Sequence, residues 1–128
     1  MTLVHETVQR VLETRISLPW PPSTNGLFVN VPRRGRVPSK EYAAWRAEAG
    51  WILKSQRPPK FQGPVTITVE LCSPHKVPFD PDNRLKAPID LIKTYGIIVD
   101  DNNQYVRGAS AVVVHGAAPC TVIVRGVE

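Results

Sequence analysis

Residues 65–71 constrain the fold more than any other segment, because apolar and polar side chains alternate strictly through the sequence VTITVEL. A period of two is typical of a half-buried β-strand, whose successive side chains point to opposite faces of the sheet. The apolar members of this run are mostly β-branched, which also favours a strand. The chain therefore contains at least one strand of a sheet with a buried face.

Two segments have helical periodicity instead. In the first, Ser39 is a suitable N-cap and Glu41 follows in the first turn, where the helix dipole favours an anion. The second is predicted from Asp82 to Tyr95, with Gly96 as its C-terminal stop. Because Pro88 removes a backbone hydrogen bond beyond the first turn, we expect that turn to be kinked or separate from the helix.

The remaining segments complete a mixed sheet. Further strands are predicted at 15–20, 97–99, 104–114 and 120–125, the last two joined as a hairpin, whereas 30–38 is expected to be an exposed, mobile loop. The resulting order, β-α-β-α-β-β-β, is that of an α/β (α+β) fold with two main helices. At 128 residues the chain can bury one core, so we expect one domain at 15–128 after an N-terminal extension, 1–14, of one or two helical turns.

The net charge of +5 conceals two regions of opposite sign. All five aspartates lie within residues 80–101, where only three basic residues accompany them. The basic excess is densest from Arg33 to Lys60, where eight Lys and Arg residues accompany two Glu. A basic body suits a polyanionic partner, because each neutralised phosphate releases a counterion.

Several classes of protein are excluded by the same composition. No apolar run approaches the ~18 residues that a membrane-spanning helix needs. The first fourteen residues are too polar for a secretory signal. Cys72 and Cys120 lie far apart without a C-x-x-C pair, which favours buried thiols in a reducing cytoplasm over a disulfide framework or a zinc site.

The segment DPDNRLK at 80–86 carries two carboxylates, Asp80 and Asp82, on either side of a stiff proline. Lys86 follows Asp82 by four residues, so the two share a helix face, and Asp90 continues the stripe. One interpretation is structural: Asp82 caps the helix and belongs to a solvated ladder of charges. The other is a site for metal-dependent phosphate chemistry, and the segment alone leaves both open.

Asp100 and Asp101 add a third acidic position after the same helix. One interpretation is that these two aspartates simply belong to a turn with the sequence DDNNQ. Because the strand that follows the helix can return close to the loop that precedes it, the acidic segments can also meet. Carboxylates gathered in this way would hold Mg²⁺, which takes oxygen ligands, and Lys86 would supply positive charge at a scissile phosphate.

These residues resemble those of the RusA-type Holliday junction resolvases, small metal-dependent endonucleases of bacteria and their phages. The likeness extends over residues 15–125. Three segments carry it: LPWPPSTN at 18–25, PVTITVEL at 64–71 and DPDNRLKAPIDLIKTYGIIVDD at 80–101. The third is the most specific, because it keeps a long pattern of acidic, basic and apolar positions in order.

The resemblance implies a role for each residue of the central pattern. Asp80, Asp82 and Asp101 match the metal-binding catalytic aspartates of the family, and Lys86 matches its catalytic lysine. The implied cofactor is Mg²⁺, with Mn²⁺ as the alternative, and no small-molecule cofactor is expected. Asp90 matches a recurrent acidic position with a supporting role, and so does the residue before Asp101, Asp100.

The resemblance also implies the substrate and the assembly. The expected activity is resolution of four-way DNA junctions by paired symmetric nicks, in DNA recombination and repair, by a cytoplasmic protein of bacterial or phage origin. Two symmetric nicks require two sites, and a domain of this size has one. We therefore expect a two-fold homodimer with no membrane partner.

Six further polar residues are candidates for DNA contact: Asn25, Arg33, Arg34, Arg36, Lys76 and Arg84. From sequence alone, an exposed basic loop without a specific partner explains the three arginines at 33–36 equally well. Two other functions also stay open, a non-catalytic binder of branched DNA whose aspartates are caps and turns, and an RNA-binding module. Both predict that binding survives neutralisation of the aspartates and that Mg²⁺ produces no cleavage.

Overall fold

A computed structural model describes residues 12–116 and 118–127. Eight strands and helices follow in chain order: β1 (Glu13–Leu18), β2 (Phe28–Val31), β3 (Gly35–Pro38), α1 (Lys40–Gln56), β4 (Val65–Leu71), α2 (Lys86–Thr94), β5 (Val106–Val113) and β6 (Cys120–Gly126). Short 3₁₀ turns at Thr24–Gly26 and Pro81–Arg84 precede β2 and α2. Most of the predicted N-terminal extension, residues 1–11, lies outside the described residues, while Glu13 and Thr14 belong to β1.

Four strands form the main sheet in the order β1-β6-β4-β5. β4 pairs with β5 in parallel and with β6 antiparallel, while β1 pairs antiparallel with β6. The predicted mixed sheet in an α+β fold is confirmed. The predicted hairpin between β5 and β6 is wrong, because β4 lies between these two strands and pairs with both.

The core lies between one face of this sheet and the two helices. The apolar positions of β4 that alternation predicted to be buried are all buried, at 0–1% exposure. β6 and β1 add Val122, Val124 and Ile16, and α1 contributes Trp45 and Leu53. Burial of these side chains fixes the register of β4, because a slip by one residue would move every apolar side chain to the other face.

Helix α1 begins as the sequence predicts. The Ser39 hydroxyl accepts a hydrogen bond from the backbone N–H of Tyr42 at 3.1 Å and donates to the carbonyl of Gly26 at 2.7 Å. At the other end, the Gln56 amide exchanges two hydrogen bonds, both of 2.8 Å, with the backbone of Ser17 in β1. The helix is thereby fixed to the edge strand of the sheet.

The predicted break before the second helix is confirmed. The 3₁₀ turn Pro81–Arg84 is separate from α2, which begins at Lys86. Pro88 is the third residue of α2, a position whose backbone N–H has no partner within a helix. The proline therefore fits α2 only because the helix starts four residues later than the apolar periodicity suggests.

Two local predictions are wrong. Residues 97–99 form no strand; Ile97 and Ile98 are buried after Gly96, whose φ of +75° turns the chain, and Ile97 bonds to Phe61 and Ile92. The predicted loop at 30–38 is largely the β2–β3 hairpin. Its turn contains Arg33 at φ 66° and Gly35 at φ 75°, a reversal that alternation of apolar residues does not signal.

Both cysteines are free, as predicted. Cys120 is buried in β6, and burial raises the pKa of its thiol to about 12. Cys72, which was also predicted to be buried, is partly exposed because it lies just beyond the end of β4. Among the described residues, no helix has the length and apolar character that crossing a membrane requires.

Candidate active site

An open cavity of about 300 Å³ lies where the 3₁₀ turn Pro81–Arg84, the start of α2, and β5 meet. Its polar lining consists of Thr24, Asp82, Lys86, Asp90 and Asp101. Apolar side chains complete the wall: Leu85, Ile89, Val106 and Ala109. We call this the acidic cavity, because three of its five polar residues are carboxylates.

The 3₁₀ turn positions Asp82. Pro81 begins the turn with its fixed φ, and Asp80 precedes it as the N-cap, with Oδ1 accepting a hydrogen bond from the backbone N–H of Asp82 at 3.1 Å. The cap that the structural interpretation assigned to Asp82 is therefore made by Asp80. Because Asp80 makes the cap, the Asp82 carboxylate does not, and it lines the acidic cavity. Asp80 does not line the cavity.

Helix α2 positions Lys86 and Asp90 one turn apart. The Lys86 ammonium lies 3.2 Å from Oδ1 of Asp90. An i,i+4 pair of this exposure contributes at most ~1 kcal/mol to stability, so its main effect is to hold the ammonium beside the cavity. Within the described residues Asp82 makes no ion pair, so the ladder of charges suggested by the sequence is limited to Lys86 and Asp90.

The turn after α2 positions Asp101. Asp100 organises this turn: its Oδ1 accepts from the backbone N–H of Asp101 at 2.7 Å, and its Oδ2 accepts from the amide of Asn102 at 3.3 Å. Lys93 lies 3.2 Å from Asp100 and 3.4 Å from Asp101. The hydrogen bond to Asp100 raises the pKa of Lys93, and the Asp101 N–H, followed by Lys93, lowers the pKa of Asp100.

The predicted catalytic residues are thus partly assembled. Asp82, Lys86 and Asp101 line one cavity together with Asp90, whereas Asp80 caps the 3₁₀ turn and is not among the residues that line this cavity. Over residues 12–116 and 118–127, no group of three or more Asp, Glu, His or Cys side chains is arranged to hold a metal ion. The three-aspartate ligand set is therefore not formed by the side chains as they stand.

The donor chemistry of the acidic cavity nevertheless fits Mg²⁺. This ion is usually held by one or two carboxylates and keeps several waters. Asp82 and Asp101 contribute two carboxylates to the lining of one open space, and Thr24 contributes a hydroxyl. The carboxylate of Asp90 already has Lys86 as its counter-ion.

The six candidates for DNA contact do not line the acidic cavity. Five of them are exposed: Asn25, Arg33, Arg34, Arg36 and Lys76. The Arg36 guanidinium lies over the Phe28 ring, 4.8 Å from its centroid. Arg84 is only half-exposed; its Nη1 donates to the carbonyl of Pro21 at 2.7 Å and its guanidinium lies 5.2 Å from the Trp20 ring. Arg84 therefore connects the 3₁₀ turn to residues 18–25, which we call the proline-rich segment.

Sequence reasoning missed two residues of this region. Thr24 lines the acidic cavity, and its hydroxyl donates to the carbonyl of Asn83 at 3.1 Å. Lys93 is the counter-ion of the Asp100–Asp101 turn. Thr24 lies within the LPWPPSTN segment and the position of Lys93 seven residues after Lys86 places it two helical turns further along α2, so both had a signal in the sequence.

Comparison with known families decides the class of protein. A family described as endodeoxyribonuclease RusA matches residues 19–125, which is most of the chain. The chain belongs to the RusA endodeoxyribonuclease family. The match contains every residue of the acidic cavity, and it confirms the resemblance carried by the aspartate pattern. No curated protein matches the sequence.

RusA endodeoxyribonucleases are Holliday junction resolving enzymes that act on branched DNA. Membership therefore confirms the predicted class, a hydrolase that cuts DNA internally. It disfavours the two alternatives considered from sequence, a DNA binder without activity and an RNA-binding module.

Proposed function

We propose that this RusA-family protein is a Mg²⁺-dependent endonuclease that resolves four-way DNA junctions by paired symmetric nicks. The observation that carries the proposal is that Asp82, Lys86 and Asp101 line one open cavity in a chain matched by an endonuclease family. Recombination and repair generate four-way junctions, so the proposed role lies in these processes, in the cytoplasm of a bacterial cell.

In this proposal Asp82 and Asp101 hold the metal ion, with Asp80 as a further ligand once its side chain turns from its capping position. When bound, Mg²⁺ or Mn²⁺ supplies Lewis-acid activation of water and stabilises charge on the phosphodiester. The ammonium of Lys86, held beside the cavity by Asp90, stabilises the negative charge that develops on the phosphate. Water adds to phosphorus and the P–O3′ bond breaks, which leaves 5′-phosphate and 3′-hydroxyl ends.

The basic body supports binding of the DNA arms. All eight Lys and Arg residues between Arg33 and Lys60 are exposed, whereas all five aspartates lie within residues 80–101 and three of them line the acidic cavity. Cationic side chains attract the phosphate backbone in a salt-dependent manner. A two-fold homodimer would place two acidic cavities on the two strands of like sequence that symmetric resolution requires.

The proposal is tested with a synthetic four-way junction and a linear duplex of the same sequence, each labelled on one strand at a time. We expect the protein with Mg²⁺ to nick two opposite strands of the junction at symmetric positions, to leave the linear duplex intact, and to be inactive in EDTA. Mn²⁺ should substitute for Mg²⁺. Junction binding without any metal-dependent nicking would contradict the proposal and favour the non-catalytic alternative.

A further inference from the structure

A second cavity, of about 440 Å³, is lined in part by the proline-rich segment and by Arg84 of the 3₁₀ turn Pro81–Arg84. It is open to solvent, and we call it the aromatic cavity. The side chains that characterise it come from four separate parts of the chain: Trp20, Ser23, Glu41, Trp45, His75 and Arg84. None of them belongs to the acidic cavity.

The aromatic cavity combines flat apolar surface with a few polar groups. Trp45 is 6% exposed and its indole N–H already donates to the carbonyl of Pro19 at 3.2 Å, so this side chain contributes little ring surface and no donor. Trp20 is half-buried, with the edge of its ring against Phe79 at 4.9 Å between centroids. Flat apolar walls of this kind suit a planar ligand.

The polar groups of the cavity are of both kinds, donors and acceptors. The Arg84 guanidinium also lines the cavity; its Nη1 donates to the carbonyl of Pro21, and its Nε is buried without a hydrogen-bond acceptor within the described residues. Such a donor costs about 1–3 kcal/mol when left unpaired and calls for an explanation. Glu41 offers an exposed carboxylate at the start of α1, and His75 an exposed imidazole in the loop before the turn.

This combination fits a nucleobase better than a phosphate. A base has π-faces for the indoles and an edge that carries both N–H donors and ring or carbonyl acceptors. The Glu41 carboxylate would repel a phosphate but accepts hydrogen bonds from base N–H groups, as Asp and Glu do from the cytosine amino group. An arginine guanidinium can donate to base acceptors and stack on bases, and that of Arg84 already lies 5.2 Å from the Trp20 ring.

The two cavities share their dividing wall. Asp82 lines the acidic cavity and Arg84, two residues later in the same 3₁₀ turn, lines the aromatic one. On the facing segment Thr24 lines the first and its neighbour Ser23 the second, and Thr24 is hydrogen-bonded to the turn through Asn83. The two cavities are therefore lined by neighbouring residues of the same two segments.

We propose that the aromatic cavity binds one unstacked nucleobase of the nucleotide next to the scissile phosphate. This inference rests on the proposed function, because a four-way junction supplies such a base: pairs at the branch point are the cheapest to open and unstack. The captured base fixes the register of the strand, so that one particular phosphate lies against Asp82 and Lys86. The protein then selects a cleavage position through this base.

The test uses four-way junctions that carry a single abasic site at successive positions around the branch point. Binding is measured by fluorescence anisotropy in EDTA, so that no cleavage is required. For the wild type we expect one position at which loss of the base weakens binding on the order of 5- to 150-fold, the range for base–aromatic stacking. Elsewhere around the branch point the abasic sites should have little effect.

The variants Trp20→Leu, Glu41→Gln and His75→Ala should each reduce that penalty while the intact junction is still bound. Glu41 and His75 are exposed, so their variants fold even if Trp20→Leu does not. Glu48→Gln is the matched control for Glu41→Gln, because it removes the same charge from an exposed position on α1, outside the cavity. It should keep the full penalty.

The base-binding inference is wrong if the wild type cleaves junctions but tolerates every abasic site equally. It is also wrong if the penalty persists unchanged in both Glu41→Gln and His75→Ala. Failure of the proposed function looks different, because a wild type that does not nick the intact junction with Mg²⁺ contradicts that proposal whatever the abasic profile.

Discussion

The ammonium group of Lys93 lies 3.4 Å from Oδ1 of Asp101, one of the carboxylates that line the acidic cavity. The same ammonium lies 3.2 Å from Asp100, whose carboxylate also accepts a hydrogen bond from the backbone N–H of Asp101. A fixed positive charge at this point competes with a cation for Asp101. In the metal site proposed above, Lys93 would therefore weaken the binding of the ion.

Replacing Lys93 by methionine should strengthen metal binding. Removal of a like charge at an exposed site is worth less than ~1 kcal/mol, so we expect the Mg²⁺ or Mn²⁺ concentration at half-saturation to fall by roughly two- to fivefold. Calorimetric titration of Mn²⁺ into the DNA-free protein measures this directly. Lys54→Met, which removes a charge that lies over Tyr95 instead, should leave the half-saturation unchanged; equal shifts in both variants would show only a general charge effect.

The Asp100 turn should make stability depend on pH in a defined direction. The pKa of Asp100 is lowered in the folded protein, so its contribution is present above the pKa of an unfolded aspartate and is lost as the pH falls through the lowered value. The pKa of Lys93 is raised, so the contribution of this group is lost only in strongly alkaline solution, above the usual lysine pKa.

Urea unfolding of the wild type and Asp100→Asn measures this dependence. The wild type should be more stable than the variant at pH 7, and the difference should shrink as the pH is lowered towards 2. A difference that is constant over this range would mean that Asp100 acts through its hydrogen bonds alone and not through its charge.

Gly50 should not tolerate a side chain, although it lies in the middle of α1 where alanine is normally preferred. A Cβ at this position would collide with the hydroxyl and ring of Tyr95, the C-cap residue of α2. We expect Gly50→Ala to lower the free energy of unfolding by about 1–3 kcal/mol, the usual cost of overpacking. Urea unfolding measures it, with Gly63→Ala, whose Cβ would contact nothing, as the control.

Patterns in the sequence predicted the parts of the fold that depend on interactions between residues close together in the chain. Alternation at 65–71 gives the buried face of β4, and the Ser39 cap gives the start of α1. The order of strands depends on pairing between distant segments, which is why β6 could not be placed between β1 and β4 from its own sequence. Ile97 and Ile98 were predicted to form a strand because they are apolar. They are buried without pairing to another strand, and the sequence does not distinguish the two cases.

The residues of the candidate site were predicted in part. The aspartate pattern located Asp82, Lys86 and Asp101, which do line one cavity. Which of Asp80 and Asp82 caps the 3₁₀ turn is decided by a single hydrogen bond, and both residues are chemically suitable. Arg84 looked like an exposed DNA contact, but its partner Pro21 is 63 residues away in the chain, a contact that no local pattern reveals.

Junction binding and junction cleavage, measured in the same samples for the wild type, Asp82→Asn and Asp101→Asn, test most directly whether the acidic cavity is the catalytic centre. We expect both variants to bind the four-way junction at least as tightly as the wild type and to lose metal-dependent nicking by at least about a hundredfold, the scale of a lost electrostatic contribution to catalysis. Glu48→Gln, which removes an equal charge outside the cavity, should cleave at the wild-type rate. Undiminished nicking by Asp82→Asn and Asp101→Asn would contradict the assignment.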